Sequence, residues 1–126
     1  MTNRLFVYGT LAPGRSAWSV IAAWATGTPS EDRVAGALYD TGRGYPAAVF
    51  DGPGETVDTG NAVHGYVVEL DPAGAAEAFT TLDRYEGPEY ERTVVRTERG
   101  VEVATYAWIA PLAGCRPVPG GRWEEG

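Results

Sequence analysis

The chain has 126 residues, 44% hydrophobic and 11% aromatic, which is enough apolar material for one packed unit and hardly enough for two. Its net charge of -7, with basic residues that are all arginine and form no basic run, gives it no counterion-release term on phosphate backbones and excludes nucleic acid as the expected partner. One cysteine, Cys115, and one histidine, His64, exclude an internal disulfide and a structural zinc site, and the absence of a bilayer-length apolar run or a signal-like N-terminus leads us to expect a cytoplasmic protein with no membrane partner.

The first strand-like run covers residues 4–8 and passes directly into the turn Tyr8-Gly9-Thr10-Leu11. Residues 16–25 follow as an expected helix, with Trp18, Ile21, Ala22 and Ala25 at helical spacing and Gly27 as its stop. Strands are expected over 34–39, 47–50 and 63–70, with a long loop over 50–63 between the last two. A second helix over 72–84 takes Asp71-Pro72 as cap and first position and places Ala75, Phe79 and Leu82 on one stripe. Strands over 90–97 and 101–109 are joined by Arg99-Gly100, a short hairpin connection that makes them antiparallel neighbours. From about residue 111 the Pro- and Gly-rich tail reads as irregular. No repeat or linker divides residues 1–126, so the expected architecture is α+β, a small, mostly antiparallel sheet closing into a barrel with flanking helices.

Few residue types are left to carry chemistry. His64 stands near the start of a strand with no Gly-x-Ser-x-Gly elbow anywhere, and Cys115 lies in the tail without a second histidine to activate it. The turn after the first strand lacks the glycines and the Gly-Lys-Ser of a nucleotide-phosphate loop. The best placed carboxylate is Glu86, just past the end of the second helix and just before Gly87-Pro88. A glutamate turned against the core at such a corner has its pKa raised by burial toward neutrality, which suits a general base. Asp83 and Glu89 read as ordinary surface acids.

Five stretches, "FVYGTL", "GALYDTGRGYPAAV", "VHGYVVEL", "LDRYEGPEYER" and "GGRW", occur in the order in which they are found in the γ-glutamylcyclotransferase-like family, and the chain resembles that family along nearly its whole length. The resemblance implies a small β-barrel with flanking helices and a loop, here Tyr8, Gly9, Thr10 and Leu11, that holds a γ-glutamyl group. It implies that Glu86 is the acid/base, that Tyr90 lines the pocket and that Tyr45 lies nearby. It further implies release of 5-oxoproline and a free amine from a γ-glutamyl amine or peptide, with no metal, nucleotide or other cofactor. Two positions depart from the family pattern: only Pro88-Glu89 separate Gly87 from Tyr90, and Arg122 stands where an acid is common. A non-catalytic module using the same pocket, with Glu86 binding an ammonium group, is the alternative. The leaving amine and the oligomeric state are not legible in the sequence.

Overall fold

The computed structural model of the chain describes residues 2–51 and 61–124. Strand β1 (Arg4–Val7) leads through a loop into α1 (Ser19–Ala22), β2 (Ala25–Asp40), β3 (Pro46–Phe50) and β4 (Ala62–Leu70). Helix α2 (Ala75–Glu86) follows, then β5 (Tyr90–Arg96), β6 (Glu102–Trp108) and the short β7 (Arg116–Pro117). The strands form one sheet in the order β3-β2-β4-β1-β6-β5, with β7 paired to β2. Among the described strands every ladder is antiparallel except that of β1 with β6, where Leu5 stands opposite Ala104 in parallel. The sheet curls until β3 approaches β6, which makes a nearly closed barrel with two helices against it, as the sequence led us to expect.

The apolar run at the start of the chain has a direct cause. β1 is a central strand buried on both faces, so it shows no polar alternation. Leu5 and Val7 face outward into a core shared with Ile21 of α1, Val68 and Leu70 of β4, and Phe79 and Leu82 of α2. Phe6 and Tyr8 face inward, into the barrel, with Val34, Leu38, Val63, Val67, Val103 and Trp123. Two cores therefore meet back to back across β1, and the turn that leaves this strand sits where both of them end.

Several boundaries differ from expectation. The expected helix over 16–25 is regular only over Ser19–Ala22. Before it the chain runs in tight turns, Arg15 N–H to the Ala12 carbonyl and Trp18 N–H to the Arg15 carbonyl, tied down by Ala17 N–H on the Thr10 carbonyl at 2.8 Å. After it Ala25 is already in β2, paired with Leu70. The strand expected over 34–39 is therefore 16 residues long, and its first half is mostly exposed with a bulge between Thr26 and Ser30. Pro29 falls within that irregularity, where a missing N–H is tolerated. Helix α2 begins at Ala75 and not at Pro72, because Asp71 closes a separate turn: its Oδ1 accepts the Ala73 N–H and its carbonyl accepts the Gly74 N–H. At its other end α2 continues through Glu86, with Ala78, Phe79 and Leu82 buried.

The tail expected to be irregular from about 111 is tied to the barrel. Beyond the β7 pairing, Val118 N–H donates to the Leu38 carbonyl and His64 N–H to the Gly121 carbonyl, both at 2.8 Å, and Trp123 enters the barrel core. Most of the loop expected over 50–63, residues 52–60, lies outside the described residues.

Candidate functional site

Glu86 is the last residue of α2, and Gly87 reverses the chain immediately after it. Gly87 has φ 78° and ψ -171°, a region open essentially to glycine alone, and Tyr90 N–H closes the turn on the Gly87 carbonyl at 3.3 Å. This turn sends the chain from a helix lying on the barrel into edge strand β5 and leaves the Glu86 side chain facing a cavity of about 430 Å³. The carboxyl group is partly buried there, and burial pushes its pKa up to about 7.

The opposite wall is the turn after β1. Tyr8, Gly9, Thr10 and Leu11 all line the cavity, as do Tyr45 and Tyr90, so every site residue taken from the sequence borders one space with Glu86. Ala12 N–H donates to the Gly9 carbonyl at 3.0 Å, which folds Thr10 and Leu11 into a tight turn. Among the described residues the N–H groups of Gly9, Thr10 and Leu11, on this edge of the cavity, donate to no backbone carbonyl.

Gly9 is needed for a reason other than backbone conformation, since its φ is not in the left-handed region. A Cβ at this position would lie 2.7 Å from Pro46 Cγ and 2.9 Å from Pro46 Cδ. Thus β3 and the turn after β1 approach each other closely only because position 9 has no side chain. The Leu11 side chain is buried in the core beneath the helices and anchors the turn.

The tyrosines around the cavity are held by hydrogen bonds to protein groups. Tyr8 donates its hydroxyl to the Tyr106 carbonyl and Tyr90 donates to the Pro46 carbonyl, each at 2.5 Å, while Tyr106 donates to Asp83 Oδ1 at 2.6 Å. Burial pushes all three phenols well above their usual range, so they remain neutral donors. The Tyr90 ring stands edge-on to Trp108 with centroids 5.2 Å apart and lies 6.4 Å from Tyr45.

Two acids read as plain surface groups have partners the sequence did not reveal. Asp83 receives the Tyr106 hydroxyl and lies 3.8 Å from Arg92 Nε. Glu89 lines the cavity as a second carboxylate and is paired with Arg43 at 3.0 Å. The Arg43 guanidinium also lies 5.2 Å from the centre of the Tyr45 ring and 5.7 Å from that of Trp108. It comes from the β2–β3 loop, whose shape is set by the Thr41 hydroxyl on the Tyr45 carbonyl and by Gly42 N–H on Asp40 Oδ1, each at 2.7 Å. Arg43, Pro46 and Tyr106 were missed because each reaches the site from another strand or loop, at sequence distances that no local pattern records, and Glu89 because its partner Arg43 is one of them.

Neither His64 nor Cys115 lines this cavity. Among the described residues no cluster of three or more His, Cys, Asp or Glu side chains is placed to hold a metal ion, and no helix is long and apolar enough to cross a membrane.

The comparisons with known proteins bear on the fold and the family. An uncharacterized protein of Pyrococcus horikoshii superposes with a TM-score of 0.70 at 22% identity, over 96% of this chain and 89% of that one. An AIG2-like protein of Mus musculus superposes with a TM-score of 0.63 at 22% identity, over 86% and 80% of the two chains. These two establish likeness of fold. Protein YtfP of Escherichia coli is 30% identical over 95% of both chains, with a TM-score of 0.54. No curated protein sequence matches. The family model described as gamma-glutamyl cyclotransferase, AIG2-like, matches residues 5–125, and the chain belongs to that family.

Proposed function

We propose that the chain is an enzyme that converts a γ-glutamyl amine or γ-glutamyl peptide into 5-oxoproline and the free amine, with Glu86 as general acid/base. The observation that carries this reading is a carboxyl group held near pKa 7 by burial, facing across a 430 Å³ cavity to a turn whose N–H groups donate to no backbone carbonyl. A γ-glutamyl substrate brings a free α-carboxylate, which suits the donors of Gly9 to Leu11, and a free α-ammonium, which suits Glu86.

The bond changes are intramolecular. Glu86 takes a proton from the α-ammonium, and the amine nitrogen attacks the γ-carbonyl carbon to form a five-membered ring. The ring nitrogen loses its surplus proton to solvent, Glu86 returns the proton it took to the departing nitrogen, and the old amide bond breaks as the carbonyl re-forms. Holding the bent conformer contributes on the order of 7 kcal/mol or more to lowering the barrier, so the site needs a base and a clamp and no covalent enzyme intermediate. Tyr45 and Tyr90 wall the side on which the leaving amine departs.

The test is to incubate the protein with a panel of γ-glutamyl amino acids and γ-glutamyl amines and to follow 5-oxoproline. Turnover of at least one member that is lost in Glu86→Gln supports the proposal. No 5-oxoproline from any member, together with a thermal shift on adding 5-oxoproline, would instead make the cavity a binding module.

A further inference from the structure

Among the described residues two side-chain donors are buried with no hydrogen-bond partner, Arg15 Nη1 and Trp123 Nε1. Their residues line the same space, a second cavity of about 540 Å³ that shares only Tyr8 with the Glu86 cavity. A buried N–H without an acceptor is destabilising, and more so when the donor is charged. Both atoms are closed to solvent, and the residues that carry them form one cavity wall, which leaves an unmet demand for acceptor oxygens there.

The wall is built and held. Trp123 is only 8% exposed, with its ring in the barrel core, and the preceding segment is fixed to β4 by the His64 N–H on the Gly121 carbonyl. Arg15 is fixed from the other side by the turns that follow β1. Two of the acids on the wall are engaged within the protein: Glu98 pairs with Arg33, and Asp32 accepts the Arg33 N–H at 2.8 Å. Glu31 and Glu124 are exposed, and the further cations Arg99 and Arg122 also border the cavity.

A guanidinium and an indole N–H are donors with no acceptor capacity, so their complement is a group that only accepts and carries negative charge. We infer that this second cavity binds a small oxyanion, the carboxylate or phosphate group of a ligand, through Arg15 and Trp123. The net charge of -7 gives such a ligand no general attraction to the protein, so any binding has to come from these local donors.

The test uses the whole ¹⁵N-labelled chain and its four tryptophan indole resonances. Trp123→Phe keeps an aromatic ring in the core, removes the N–H and assigns the Trp123 signal. Inorganic phosphate and succinate are titrated separately, each at constant ionic strength with chloride making up the difference. The expected result is a saturable shift of the Trp123 indole resonance with at least one probe, half-complete below about 10 mM. The probe that saturates distinguishes phosphate from carboxylate. Arg15→Gln, or Arg15→Lys should the glutamine variant not fold, weakens that binding about tenfold or more. No saturable shift with either probe, or a shift that the Arg15 variants leave unchanged, overturns the inference and leaves the donors to water.

Discussion

The two cavities lie on either side of Tyr8 and treat buried polar groups in opposite ways. Around the first, the hydroxyls of Tyr8, Tyr90 and Tyr106 are given to protein acceptors, so the walls are rigid and the group left in an unusual state is the Glu86 carboxyl. Around the second, the acids Glu98 and Asp32 are engaged and two donors are left over. A carboxyl raised toward neutrality can pass a proton in either direction near pH 7, whereas an arginine cannot. On the two proposals above, the first cavity is the one that reacts and the second the one that only holds. Burial of a polar group without full compensation would then serve a base in one place and a binding contact in the other.

The sharpest way to break this contrast is Glu86→Gln. The substitution keeps volume and some hydrogen bonding but cannot take the ammonium proton, so kcat on a substrate that the native protein cyclises should fall roughly 10²- to 10⁴-fold while binding persists. Full turnover in this variant would move the base elsewhere. The Trp123 indole response to oxyanions should be unaltered by it, since the two cavities share no residue but Tyr8.

The raised pKa makes a second, pH-dependent test whose sign is fixed. In the unfolded chain Glu86 ionises near 4.5 and in the folded one near 7, so between these values the folded state binds the extra proton. Stability attributable to this group thus falls as pH rises from about 4.5 to about 7 and stays lower above that, by up to about 3 kcal/mol. Denaturant midpoints of the native chain and Glu86→Gln should coincide near pH 4 and separate in favour of the variant by pH 8. If Glu86 is the base, kcat/KM of the native chain should rise over the same window as it ionises. A flat rate from pH 5.5 to pH 8 would deny Glu86 that role.

How much of this could be read from the sequence follows from where the information sits. β1, the turn at Gly9 and the corner at Glu86-Gly87-Pro88 are legible because a strand buried on both faces, a strand-ending glycine and a helix stop each leave a local signature. The first half of β2 is not, because an exposed edge reading Thr-Gly-Thr-Pro-Ser is held by its backbone ladder to β4 and carries no apolar alternation. Trp123 reads as part of a loose tail, since what buries it is a barrel whose core residues are spread along the chain from Phe6 to Val103. Glu86 was found through its turn, but Glu89, three residues on, was not, because its partner Arg43 is on another loop.

Gly9→Ala separates the present account of the turn from one based on backbone freedom. Its φ is accessible to alanine, so strain would arise only from the added methyl against Pro46. Pro46 is buried and its ring has little freedom to give way, and overpacking of this kind costs about 1–3 kcal/mol. We expect a thermal midpoint lower by several degrees, weaker binding of 5-oxoproline, and partial recovery of both in Gly9→Ala combined with Pro46→Ala. A double variant no better than the single one would show that the glycine serves something other than this contact.

The smallest expected effects distinguish the two carboxylates of the first cavity. Glu89 is about as close to Glu86 in sequence as a residue across the turn can be, yet it is held at the rim by Arg43, and both side chains are substantially exposed, 38% and 52%. An ion pair in that setting contributes little to stability and is weakened by salt. Arg43→Gln should therefore shift the denaturant midpoint slightly at low ionic strength and hardly at all at high, with part of the residual loss coming from the contacts of the guanidinium with Tyr45 and Trp108. Glu89→Gln should alter KM for some leaving amines, because the rim charge changes, while kcat falls by less than about tenfold, well short of the loss in Glu86→Gln. If Glu89→Gln instead abolished turnover and Glu86→Gln did not, the base would be the rim carboxylate, and burial at the end of α2 would have no part in the reaction.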